Sequence, residues 1–273
     1  MSALSTRSIN FESLVVVLGA SNIRRSLVPL TRTLLKKITR PANIVFACGH
    51  GRSFGQYNNV LGWSLPGLRD ALWSEHCRHI ASVNRYVILA DVGNDIFYEH
   101  SAEEIVCWVQ DCLEAIPNCT SGVIMGLPIA RIESLRPVWF EVMRRMFYPS
   151  SRVSRLTALK RAEELHHALQ NIAFSRGFSW VEPSLDWYDW DPIHIRRSAM
   201  TTAWDSIVDA MLHIKKSPPE LSVDQFSNRF AMTWRMKRRL KRARALQQKW
   251  LGIDRGIGQP WMTLDDGSTL SFY

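Results

Sequence analysis

No run in this 273-residue sequence approaches the ~18 consecutive apolar residues of a membrane-spanning helix, so no transmembrane segment is expected. Met1 to Phe11 is polar and leads directly into the first apolar run, which leaves no space for the apolar core of a secretion signal. Cysteine is sparse. Cys48, Cys77, Cys107, Cys112 and Cys119 are odd in number and follow no spacing pattern. That excludes a disulfide framework and predicts reduced thiols in a cytoplasmic protein. His76, Cys77 and His79 crowd together, but adjacent residues rarely share a metal, and they read as an ordinary surface segment. Acidic residues are also short, with 25 Asp and Glu against 34 Lys and Arg, a formal net charge of +9. The imbalance is local. Lys215 to Tyr273 holds twelve Lys/Arg against five Asp/Glu, so this tail carries +7 and the body +2. A basic tail on a nearly neutral body speaks to partners and not to fold.

What remains is globular: 46% apolar and 22% charged residues, in a chain long enough for one large α/β domain with an appendage. The organising stretch is Leu14-Val15-Val16-Val17-Leu18-Gly19-Ala20-Ser21-Asn22. Five apolar residues in a row read as a strand buried on both faces, as in a parallel sheet. Ser21 and Asn22 are placed to cap a helix starting near Ile23 and running to Lys37. Further strands are read at Asn43–Cys48, Tyr86–Val92, Gly122–Leu127 and Phe178–Val181. Residues 56–82 read as a loop and then a helix. Other helices are read at Ala102–Ile116, 132–148, 156–172 and Ser198–Ile214. This alternation predicts a flavodoxin-like, doubly wound α/β/α fold with five parallel strands in the order 2-1-3-4-5. Ligands in such sheets bind where central strands end, and Ser21, Gly51 and Asn94 each follow one of the first three strands.

Asp191-Pro192-Ile193-His194 adds a carboxylate three residues before an imidazole. In a turn, that spacing lets Asp191 accept from Nδ1–H of His194, leaving Nε2 to deprotonate a hydroxyl. Ser21 is the natural third member. The Asn94 amide and the Ser21 and Gly51 N–H groups are candidates for an oxyanion hole. His50 and Arg52 are candidates to hold an anionic substrate group. Trp187, Tyr188 and Trp190, which flank the Asp–His pair, are candidates to stack on a sugar or acyl chain. Gly49-x-Gly51-x-x-x-Gly55 lacks the spacing of a dinucleotide loop and follows the wrong strand.

The four blocks together resemble the SGNH (GDSL-type) hydrolase superfamily: Ser21 in Gly19-Ala20-Ser21-Asn22, Gly51, Asn94 in Gly93-Asn94-Asp95, and Asp191 with His194. The resemblance spans roughly residues 12–214. It implies an ester or thioester hydrolase working through an acyl-enzyme on Ser21, with an acylated carbohydrate or another small ester as substrate and no metal or organic cofactor. Three positions depart from the family pattern. Ala20 stands where the family usually has an Asp that bonds around the nucleophile loop. Val92 stands where a glycine is common, and Gly49 competes with Gly51 for the second block.

The hydrolase-like domain is expected to cover 1–216 and a C-terminal extension 217–273. Pro218-Pro219 punctuates the boundary. Val223 to Trp250 reads as a basic amphipathic helix, with seven Lys/Arg between Arg235 and Arg244. Its anionic partner would be a nucleic acid, a membrane surface or an acidic protein. Residues 261–272 read as a β-hairpin around Gly267 that must dock on something. Two functions compete: a serine esterase, and a degenerate hydrolase that binds a ligand and is docked by its basic tail.

Overall fold

Five apolar residues in succession need cover on both faces, and the computed structural model, which describes residues 10–214 and 231–273, supplies it. In chain order the elements are β1 (Phe11–Leu18), α1 (Ser21–Arg25), α2 (Leu27–Lys37), β2 (Ala42–Ala47), β3 (Asn58–Val60) and β4 (Trp63–Leu65). Then come α3 (Trp73–His79), β5 (Ser82–Leu89), α4 (Asn94–Phe97), α5 (Ala102–Glu114), β6 (Ser121–Met125), α6 (Ile129–Glu133) and α7 (Pro137–Phe147). The chain continues through α8 (Arg155–Ser175), β7 (Ser179–Val181), α9 (Met200–Met211) and α10 (Trp234–Lys241). It closes with β8 (Lys249–Trp250), β9 (Ile253–Asp254), β10 (Met262–Thr263) and β11 (Thr269–Phe272).

Leu14, Val16 and Leu18 enter a core with Ile105 and Val109 of α5 and Leu165 and Leu169 of α8. Val15 and Val17 point the other way, among Leu30 and Leu34 of α2 and Ile207 of α9. All five are fully buried. At about 1.5–3 kcal/mol per buried aliphatic side chain, this strand is the main hydrophobic anchor of both layers. The expected strand order holds, as β2-β1-β5-β6-β7. Register does the work for the site. Leu18 is level with Ala47 of β2 and with Leu89 of β5, so three loops leave the sheet together.

Several expectations need correction. The helix read from Ile23 to Lys37 is broken at Ser26. The break puts Pro29 in the first turn of α2, where its missing N–H costs nothing. The helix read over 132–148 splits into α6 and α7, with Pro137 opening the second. Residues 58–65, read as part of a loop, form a hairpin. Its two-residue turn, Leu61-Gly62, has positive φ at both positions, and leucine conceals that turn from a sequence reading.

The extension departs furthest. Within the described residues, the basic helix is only Trp234–Lys241, and residues 215–230 of the tail lie outside them. Past α10, tertiary pairing overrides helix propensity. The Leu246 N–H donates to the Phe272 carbonyl, and Trp250 pairs with Trp63 in a four-stranded sheet, β3-β4-β8-β9. The terminal hairpin does dock, on the central sheet itself. β11 runs parallel to β2 with Phe272 stacked on Phe46, so the sheet has seven strands and not five. Among the described residues no helix is long and apolar enough to cross a membrane.

Candidate active site

β1 ends at Leu18 because Gly19 must pass close to β5. A side chain there would collide with the Ala90 carbonyl and with Ile23. Ser21 then opens α1, nearly buried. Neither Ser21 nor Asn22 caps that helix through its own side chain, contrary to expectation. The cap is Asp91, just past β5. Its Oδ2 accepts from the N–H groups of Ala20 (3.2 Å), Asn22 (2.8 Å) and Ile23 (3.3 Å). Asp91 has φ 59°, a left-handed conformation that Asp tolerates better than most residues. The carboxylate missing at Ala20 is thus supplied from another strand. Burial pushes the Asp91 carboxyl up, against the lowering effect of the Asn22 amide and of His194.

Asn22 ties the Ser21 segment to the His194 segment. Its Nδ2 donates to Asp91 (2.6 Å) and to the Ile193 carbonyl (2.9 Å), and its Oδ1 accepts from Ile195 N–H (2.7 Å). Both neighbours of His194 are therefore clamped to the residue next to Ser21. His194 Nε2 lies 2.9 Å from Ser21 Oγ, and Nδ1 lies 2.7 Å from Asp191 Oδ2. The other carboxylate oxygen accepts from the N–H groups of Ile193 and His194, each at 3.2 Å. Burial alone would raise the Asp191 carboxyl, but the His194 bond and charge and those two N–H groups hold it below its ordinary value. Phe147 meets the imidazole edge-on at 5.4 Å. The three groups form a continuous relay in which a proton leaving Ser21 has an acceptor and the resulting imidazolium has a counter-charge.

Asp91 takes the N–H groups on both sides of Ser21, and the Ser21 N–H itself has no acceptor among the described residues. Gly51 also keeps a free N–H there. Its φ of 59° and the approach of Val60 and Tyr98, within 3 Å of where a Cβ would sit, require glycine. The Gly51 carbonyl is held by the Tyr98 hydroxyl (2.6 Å) and the Asn58 amide (2.8 Å). Asn94 opens α4. Its Oδ1 accepts from the Tyr148 hydroxyl, which turns Nδ2 toward the Arg52 carbonyl at 3.4 Å.

The remaining candidates divide. His50 is exposed and lines a cavity of about 530 Å³ together with Gly49. Arg52 is corrected: it is fully buried, and its guanidinium donates to the carbonyls of Tyr273 and Pro66 (3.2 Å), so it holds the C-terminal strand and touches no substrate space. Trp187 is corrected too, packing against the α2–α9 core, and Trp190 is 69% exposed. Neither lines a cavity at Ser21. Sequence reasoning passed over Asp91 and Tyr148, while Tyr188, a candidate to stack on a sugar or acyl chain, does line the cavity at Ser21. A smaller cavity of about 60 Å³ lies against Ser21 and Asn94, walled by Val92, Met125, Leu127, Tyr148 and Tyr188. Its polar lining comes from Ser21, Asn22, Asp91, Asn94 and the two tyrosines, and Val92 forms part of its wall.

No protein-family model matches the chain, and no curated protein matches its sequence. Among solved structures it is similar to a carbohydrate acetylesterase family member from Sinorhizobium meliloti, with a TM-score of 0.47 and 13% identity, covering 74% of this chain and 100% of that one. It is also similar to the native aryl esterase of M. smegmatis, with a TM-score of 0.45 and 11% identity, covering 73% and 99% of the two chains.

Proposed function

We propose that the protein is a serine ester hydrolase in which Ser21, His194 and Asp191 form the catalytic triad. The observation that carries this reading is the unbroken hydrogen-bonded line from Ser21 Oγ through His194 to Asp191, at 2.9 and 2.7 Å. The four-block resemblance to SGNH hydrolases supports it. Ser21 Oγ attacks the ester carbonyl as its proton passes to His194 Nε2, giving a tetrahedral oxyanion. The Ser21 and Gly51 N–H groups and the Asn94 amide are the donors available to stabilise that charge. His194 then protonates the departing alcohol, leaving an acyl-enzyme on Ser21. Water, deprotonated by the same imidazole, releases the acid. The cavity of about 60 Å³ beside Ser21 suits a short acyl group. The chemistry needs no cofactor. The five cysteines are free thiols, which fits the reducing cytoplasm in which we place the protein.

The test is turnover of p-nitrophenyl acetate and butyrate by the wild type and by Ser21→Ala. We expect turnover that falls by about 10⁴-fold or more in the variant, and faster cleavage of acetate than butyrate. Covalent labelling of Ser21 by a fluorophosphonate probe is the companion measurement. Equal rates in both proteins would remove Ser21 from the mechanism. Unlabelled Ser21 in folded protein would favour a binding protein docked by the basic face of α10.

A further inference from the structure

The larger cavity, of about 530 Å³, is built where the basic extension meets the nucleophile's surroundings. Three arginines and a histidine line it: Arg24, His50, Arg242 and Arg244. No Asp or Glu does. Arg24 lies one helical turn beyond Ser21, and its guanidinium is locked by donation to the Ala243 carbonyl at 3.0 Å. His50 directly precedes the oxyanion-hole candidate Gly51. Asn58, another wall residue, donates to the Gly51 carbonyl. The cavity is therefore walled by residues that adjoin Ser21 and Gly51 in the chain or through a hydrogen bond, and it shares no lining residue with the smaller cavity. Trp63, tilted against Trp250 at 6.2 Å, gives it an aromatic wall.

Arg242 and Arg244 are exposed, and their side chains have no acidic partner among the described residues. Cations gathered at a cavity without counter-charges repel one another, and an anion relieves that repulsion. Arginine pairs are suited to carboxylate and phosphate, which they grip in a planar fork.

We propose that this cavity binds the alcohol half of the ester, and that this half carries a carboxylate or phosphate gripped by Arg24, Arg242 and Arg244. The C-terminal extension is then a substrate-recognition element that completes the site. This rests on the esterase reading, since the alcohol is the group that departs from Ser21.

The test compares 4-acetoxybenzoate with its neutral methyl ester, which carry the same acetyl group on the same ring. For each protein the readout is the ratio of kcat/KM for the anionic ester to that for the neutral one. In Arg242→Gln/Arg244→Gln we expect this ratio to fall roughly tenfold to a hundredfold, the size of lost charge-assisted hydrogen bonds. In the wild type, 0.5 M salt should lower it in the same direction. A ratio unchanged within twofold in the double variant would overturn the proposal. Binding is measured separately in Ser21→Ala protein by titrating benzoate and phenyl phosphate against tryptophan fluorescence. The preferred anion reports which of the two charged groups the cavity suits. Adding the two arginine substitutions should weaken binding at least tenfold, and equal or absent binding in both proteins would sink the anion site. If neither ester is cleaved, the esterase reading fails alone, because this titration still decides the cavity.

Discussion

The cavity against Ser21 and the cavity at the basic extension differ in size, lining and charge. One is about 60 Å³, walled mainly by apolar side chains at the ends of β1, β5 and β6 and by α8. The other is about 530 Å³, cationic, and shared between the nucleophile side and a segment more than 200 residues away. The small one is cut from the core of the sheet, where close packing leaves little freedom to enlarge it. The large one is assembled at the surface from a loop, a hairpin and the extension, where side chains can change without cost to the core. The difference teaches a division of labour. On the proposed reading, the core fixes the chemistry and the acyl size, and the surface chooses the alcohol.

If the triad serves both cavities, its loss must strike every ester alike. Asp191→Asn is expected to lower kcat by about 10⁴-fold, through the wrong imidazole tautomer, for neutral and anionic esters equally. Unequal losses, measured on the same two 4-acetoxybenzoate substrates, would break the division. Asn94→Ala should come next, costing about 10²–10³ in kcat with a smaller change in KM, because an oxyanion donor acts in the transition state. A change confined to KM would remove Asn94 from the oxyanion hole and leave it as a wall of the small cavity.

The core half of this division was legible in the sequence, and the surface half was not. Leu14 to Leu18 announced a strand covered on both faces, and Asp191-x-x-His194 a carboxylate–imidazole turn, because both are local patterns. The long-range pairings carried no local mark. Asp91 caps the Ser21 helix from 68 residues away or more, and Thr269–Phe272 adds itself to β2 across the length of the chain. Arg52 was misread for the same reason. It stands in a glycine-rich loop that reads as solvated, yet it is fully buried and the Tyr273 and Pro66 carbonyls accept from it. The helix read across Val223–Trp250 failed where Trp250 found a strand partner in Trp63.

The partition between the cavities can be probed through Asp95. This fully buried carboxylate, beside Asn94 in α4, accepts from the Ser53 hydroxyl and from Phe54 N–H at 2.9 Å. It thereby ties the 49–55 loop of the large cavity to the loop of the small one. Burial pushes its pKa from 3.8 to about 6, despite those two bonds. The folded state thus holds this proton more tightly than the unfolded chain does. The contribution is fully present below about pH 4 and is lost as pH rises through about 6. Denaturant unfolding of wild type and Asp95→Asn across that window should show their difference in stability moving against the wild type by roughly 3 kcal/mol. A flat difference would mean that the two hydrogen bonds fully compensate the buried charge.

The smallest effect sharpens the comparison most directly. Val92 is buried and fills space beside Ser21 where a smaller residue would widen the acyl cavity. Val92→Ala removes two methyl groups' worth of wall, and a hydrophobic pocket discriminates by about 1–3 kcal/mol per methylene. The ratio of butyrate to acetate turnover should therefore rise by about tenfold. Because the large cavity shares no wall with Val92, the anionic-to-neutral preference on 4-acetoxybenzoate and its methyl ester should shift by less than about twofold, as expected for sites without shared partners. If one substitution moves both ratios together, the cavities are coupled through the Ser21 loop, and acyl size and alcohol charge are read by one site and not two.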